Sequence, residues 1–317
     1  MGSWESVLTA GLALAVVVAW NRRVLAPRPT VARLLPPLAL ALLGPFLIPV
    51  DWIYTRALGT VQFVVVAGKT YELYRRRVPD PRMLEHWGSF LFWQLVPLKS
   101  KSPQLPSDAE RARAAGRGRL IRAALKLPPV AVLTLLHLHW PGLHDDHWLE
   151  SFWALWLTYF AVSALVDIVG GLAMQSGNAL AEGFDAPPLA RSPRDFWSRR
   201  WNLVVHDLIF RHVFLPLGGL RKPLRATIGI FALSGFIHEY FVFATLGRPS
   251  SYTGFMMLFF GIHGVAVMAQ LAWDRGPGRR KSMSRPLAVG LHLAWFTLTA
   301  PLFFAPMGEI FANAWPN

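Results

Sequence analysis

The 317 residues contain no cysteine, which excludes disulfides, a thiolate nucleophile and a Cys-ligated metal, and leaves thiols silent about redox compartment. Charge is scarce as well. Only 16% of residues are charged, against about 25% in an average soluble domain. Acidic groups are the scarcer sign, 18 against 32 Lys and Arg, for a net charge of +14. None of the ten histidines stands in an HxxxH or HxxHH cluster, so a membrane di-iron desaturase or hydroxylase is excluded. Aspartate-rich prenyltransferase signatures are also missing. His144-Asp145-Asp146-His147 has the look of a metal site but falls in a short outside loop, and no metal is assigned to it.

What is present is apolar sequence in long runs. Hydrophobic residues make up 53% of the chain and the mean hydropathy is +0.35. The runs are not spread at amphipathic spacing but reach the roughly 20 residues that cross hydrocarbon as helix. They predict an all-α polytopic integral membrane protein with about 8 transmembrane helices, at residues 6–24, 34–50, 52–70, 124–140, 148–174, 226–246, 252–273 and 286–304. His86 to Leu98 is too short to cross and reads as re-entrant or interfacial. The first run has no Lys or Arg before it and Arg22 and Arg23 after it, so it predicts a retained helix with its N-terminus outside.

Basic residues sort by side, as membrane topology requires. Five alternating segments, Arg22 to Arg33, Lys69 to Arg82, Lys99 to Lys126, Arg191 to Arg225 and Arg275 to Arg285, hold 30 of the 32. Only Arg56 and Arg248 fall on the other side. The positive charge is thus explained by topology, and with no basic and aromatic stretch outside membrane-associated segments, nucleic acid is not an expected partner. Residues 1–317 read as a single membrane-embedded domain without repeats. Ser100 to Gly118 reads as a flexible cytosolic loop, and the proline pairs at 36–37, 128–129 and 187–188 as lying near span ends or in loops.

Ionisable residues inside spans default to functional candidates, and here they are Asp167, His238, Glu239, His263 and His292. His238 lies deep in its span, 12 residues from one end and 8 from the other. A neutral imidazole there can accept a proton near pH 7, which makes it a candidate general base. Ser234, four residues earlier on the same helical face, can orient the ring. A helix-packing hydrogen bond is the competing reading. A second segment, Ser192 to Pro216, interleaves aromatic and basic residues as an interfacial helix does, with Asn202 and His206 on one face.

Together these segments resemble the membrane-bound O-acyltransferase family. Asp195-Phe196-Trp197-Ser198-Arg199-Arg200-Trp201-Asn202 resembles the wax synthase form of its first motif. Trp201-Asn202-Leu203-Val204-Val205-His206, with Arg211-His212 and Pro216, is similar to the sterol and diacylglycerol acyltransferase form. Ser234 to Tyr240 resembles their S-x-x-x-H-E-Y signature. The motif-bearing core covers about residues 190–246. Arg199 and Arg200 depart from the animal enzymes' pattern before Trp201, which bears on the acceptor.

The resemblance implies a multi-helix bundle enclosing a reaction chamber, with His238 as catalytic histidine and Asn202 as its partner. Glu239, Ser234, His206 and Trp201 would support them. It implies acyl-CoA as co-substrate, no other cofactor, and a lipid alcohol acceptor. A long-chain alcohol, giving a wax ester, leads; diacylglycerol and a sterol-like acceptor stay open. A transporter or membrane scaffold is the alternative of another class, although two repeated halves with interrupted helices are not found. The Ala, Arg, Leu and Pro bias points to a bacterial cytoplasmic membrane.

Overall fold

A computed structural model describes residues 3–78, 81–96, 106–143, 146–177, 179–276 and 283–312. Among them every regular element is a helix. In chain order these are α1 (Ser3–Trp20), α2 (Val31–Leu43), α3 (Ile53–Tyr74), α4 (Trp87–Leu95), α5 (Pro106–His139), α6 (His147–Met174), α7 (Pro193–Asp195), α8 (Leu203–Ile209), α9 (Pro223–Leu246), α10 (Phe255–Arg275) and α11 (Arg285–Ala312). Large apolar side chains stand exposed along them, Leu125 at 71% and Phe236 at 65%. Water would penalise such surface, whereas hydrocarbon does not. The chain is a polytopic α-helical membrane protein.

The expected count of eight spans is not confirmed. Among the described residues six helices, α1, α5, α6, α9, α10 and α11, are long and apolar enough to cross, or seven spans if one bent pair is included. The runs at 34–50 and 52–70 form that pair, bent by 94°. Local chemistry explains the break: α2 passes into a 3-10 turn over Gly44–Leu47, and Ile48 is extended ahead of Pro49, as residues preceding proline prefer. Arg28 and Arg33 precede the pair and Arg75, Arg76 and Arg77 follow it. Returning to the entry side keeps these basic ends together, while crossing would separate them. At 9 residues, α4 is too short to span.

Two other expectations change. Residues 106–118 are the start of α5, not a loop. Ala, Arg and Glu are strong helix formers and outweigh Gly116 and Gly118 there. Gly116 in that stretch serves close packing: a Cβ on it would lie 2.9 Å from the Gly171 carbonyl of α6. Pro36 and Pro37 lie inside α2, and Pro128 and Pro129 inside α5, rather than at span ends. The His144 and Asp145 of the metal-like stretch lie outside the described residues; Asp146 caps α6 by accepting from the Trp148 and Leu149 amides.

The helices group into two compact units that alternate along the chain. The first comprises residues 1–99, 237–253 and 306–317, the second 100–236 and 254–305. In the first unit, both arginines that broke the charge pattern are engaged. Buried Arg56 donates to the carbonyls of Ile48, at the bend, and Ala244, in the last turn of α9, at 2.8 and 2.6 Å. Its guanidinium also covers the Phe46 ring. Arg248 pairs with Glu309 at 2.8 Å. These residues answer backbone and carboxylate oxygens, so they do not contradict the sided distribution of the rest.

In the second unit α5 and α6 pair along their length. Asp167 of α6 takes Arg122 at 2.9 Å and Lys126 at 2.7 Å from α5. This answers the question Asp167 posed as an intramembrane acid: it is the centre of an ion-pair strut. The core of the unit is aromatic, built from Phe196, Phe231, Phe259, Phe260 and Phe296 with Trp197, Trp201 and Trp295 against them.

Candidate active site

The segment 192–214 is a string of short helical pieces with π turns on both sides of α8. Ser192 caps α7, its hydroxyl accepting from the Asp195 amide at 3.2 Å. The chain then makes a π turn over Phe196–Arg200 and, after α8, another over Phe210–Phe214. Asp195 fixes the first turn by binding the Arg191 amide at 3.0 Å and the Arg200 guanidinium at 2.8 Å. Burial alone would raise this carboxyl, but those two partners outweigh it and hold it below the usual carboxylate range. Trp201 stacks on Phe196, ring centroids 5.5 Å apart, and so anchors the end of the turn in the aromatic core.

Asn202 stands at the junction of the first π turn and α8. Its backbone is left-handed, φ 43° and ψ 58°, a conformation that asparagine tolerates and most residues do not. Its Oδ1 accepts from the Val205 amide at 3.3 Å and caps α8. The oxygen thus serves the cap, and the Nδ2 amide is the side chain's hydrogen-bond donor. His206 follows one turn later, stacked against Phe210. Burial pushes its imidazole below the ordinary value, with Asp207 opposing.

Ser234, His238 and Glu239 lie on α9, whose residues through Phe236 belong to the second unit and from Ile237 to the first. The Ser234 hydroxyl gives its proton to the Ile230 carbonyl at 2.8 Å, leaving it to His238 only as an acceptor. Gly235 brings α9 against α10: a Cβ there would meet Met257 at 2.8 Å from Sδ and 3.1 Å from Cα. Beyond the histidine, Tyr240 donates to the Leu42 carbonyl and Phe243 packs on Phe46. His238 is half-buried, and its helix is thus held tightly on either side of it.

Residues 147–291 match the model of the membrane-bound O-acyltransferase family. This region, just under half of the chain, is similar to the domain of that family. All six residues singled out for chemistry, Trp201, Asn202, His206, Ser234, His238 and Glu239, fall inside it. The acyl-CoA–sterol O-acyltransferase 1 of Arabidopsis thaliana is 30% identical over 188 residues, 57% of this chain and 49% of that protein. The long-chain-alcohol O-fatty-acyltransferase of Simmondsia chinensis is 31% identical over 133 residues, 39% of this chain and 37% of that protein. The matched region is therefore about half or less of the length of these curated relatives.

Within the matched region the structure groups Trp201, Asn202 and His206 on one segment of the second unit, and Ser234, His238 and Glu239 on α9. It also assigns His263 a role that sequence did not show. The Trp197 indole, which can only donate, gives its proton to His263 Nδ1 at 3.1 Å. The other nitrogen, Nε2, then carries the hydrogen and bonds Thr299 Oγ1 at 3.0 Å. That hydroxyl in turn reaches the Trp295 carbonyl at 3.0 Å. His263 is a satisfied strut linking the motif turn, α10 and α11. Trp197 stood in the first motif without pointing to a histidine partner, and Thr299 had no signal of its own, because threonine is not unusual in an apolar helix.

Proposed function

We propose that this protein is an acyl-CoA-dependent O-acyltransferase that moves a fatty acyl group onto the hydroxyl of a lipid alcohol. The observation that carries the reading is the Ser234-to-Tyr240 signature on a continuous helix inside the matched region, with His238 half-buried within a span. In the proposed reaction His238 takes the acceptor's hydroxyl proton as its oxygen attacks the thioester carbonyl. The tetrahedral intermediate collapses, the C–S bond breaks, and the leaving thiolate recovers the proton as CoA-SH beside the new ester. Asn202 acts through Nδ2, donating to the oxyanion as charge develops on it. Glu239, Ser234, His206 and Trp201 position these two. The hydrocarbon surroundings exclude water that would hydrolyse the thioester.

We take residues 1–317 as one acyltransferase domain whose partners are acyl-CoA, the acceptor and the bilayer, with no cofactor or metal. A long-chain alcohol leads as acceptor because a relative is named for it, and a sterol follows because another is. Diacylglycerol is the third. The bacterial cytoplasmic membrane is our assignment from composition alone; the relatives named above are plant proteins and do not support it. The experiment is an assay with radiolabelled acyl-CoA and an alcohol, diacylglycerol and sterol panel, on purified wild type and His238→Ala. Ester from wild type only is the expected result. Full activity in folded His238→Ala would refute the role given to His238, and release of no CoA with any acceptor would favour a transporter or scaffold.

A further inference from the structure

His292 on α11 contrasts with His263. It is only 4% exposed, yet neither ring nitrogen has a hydrogen-bond partner among the described residues. One helical turn on, the Trp295 indole Nε1 is also buried without a partner among them. Residues three apart share a helix face. Both rings belong to the aromatic core of the second unit: His292 lies 5.5 Å from the Phe196 ring and 5.2 Å from Phe296, and Trp295 lies 5.9 Å from His263. Unlike His263, whose two nitrogens are both used, this pair retains an unused inventory among aromatic rings, with the Asp195 carboxylate and the His263 ring within electrostatic range of His292. Folded proteins seldom leave buried polar atoms unmatched, and each such group calls for an explanation, among them a functional role or a bound species.

The inventory is chemically specific. A neutral imidazole offers one acceptor and one donor, and the indole one donor. A hydroxyl is the complement: its proton goes to the imidazole lone pair, and its oxygen accepts from an N–H. A carbonyl, ether or thioester would engage the donors and leave the imidazole lone pair unmatched. The neighbouring aromatic rings match a hydrocarbon chain in polarity. We propose that His292 and Trp295 form a binding site for the hydroxyl of a lipid alcohol. Under the transfer reaction proposed above this site loads the acceptor, and to that extent it rests on that reading, but binding itself requires no catalysis.

The test is equilibrium binding of tritiated hexadecanol to the full-length protein in detergent, with unlabelled hexadecanol or hexadecyl methyl ether as competitor. The ether keeps the oxygen acceptor but carries a methyl group in place of the hydroxyl proton. Wild type should prefer the alcohol by about tenfold, the loss expected for one buried hydrogen bond. His292→Phe and Trp295→Phe, each folded by thermal melt and elution, should bind hexadecanol about tenfold more weakly, and His292→Phe should no longer distinguish the ether. Equal competition by alcohol and ether in wild type would overturn the site without recourse to any variant. So would unchanged alcohol preference in His292→Phe. Tight, hydroxyl-selective binding without ester formation in the transfer assay would instead sink the transferase reading and leave this site standing.

Discussion

Asn202 combines a structural and a proposed chemical task, and substitutions can separate them. Its left-handed backbone would cost an alanine about 1–2 kcal/mol, and loss of the Val205 cap about 1 kcal/mol. Asn202→Ala should therefore lose roughly 2 kcal/mol, less whatever the asparagine itself already forfeits in that conformation. Asn202→Gly restores backbone freedom and loses only a few tenths for the cap. Asn202→Asp keeps both the cap acceptor and the tolerance of the left-handed region but replaces the Nδ2 donor with an acceptor. Thermal melts in detergent should rank aspartate and glycine near wild type and alanine below. Transfer rates should fall in all three, by about a hundred- to a thousandfold for loss of one oxyanion donor. An Asn202→Asp protein that melts and turns over like wild type would refute the donor role. An alanine variant as stable as the glycine one would refute the backbone argument.

Ser234→Ala should lose less than about tenfold in rate, because the Ser234 proton is committed to the Ile230 carbonyl; a loss equal to that of His238→Ala would mean the hydroxyl acts on a reactant. Gly235→Val should lower the melting temperature and the rate together, since added carbons meet Met257 Cα as well as its flexible sulfur, and an unchanged melt would show that α9 and α10 can separate. Arg56→Met should destabilise by about 1–3 kcal/mol for each of the Ile48 and Ala244 carbonyls left without a partner, read by melts, and no change would mean water reaches both. The Asp195 carboxyl, held low in the folded state, contributes stability that is present at neutral pH and fades as pH falls through the ordinary carboxylate range toward the lower folded value. Asp195→Asn should therefore narrow the gap to wild type on acidification, and a constant gap from pH 7 to pH 3 would contradict the Arg200 pairing.

Hydropathy runs and the sided distribution of Lys and Arg were enough to read an all-α membrane protein from sequence, because hydrocarbon admits only helices that satisfy their own backbone and because span length is set by its thickness. The motif segments around Asn202 and His238 were legible too, as both stand in short local patterns. The order of residues did not disclose that 31–74 bends instead of forming two spans, since hydropathy is blind to direction and the bend is held by Arg56, whose Ala244 partner lies 188 residues away. Nor did it separate the buried ionisable groups. Asp167, His263 and His292 look alike as polar residues in apolar helices, and only tertiary packing made the first an ion-pair centre and the second a satisfied strut, while leaving the third with both nitrogens unanswered among the described residues. A hydrogen bond needs a partner within about 3 Å, and which helix supplies it is decided by packing in three dimensions.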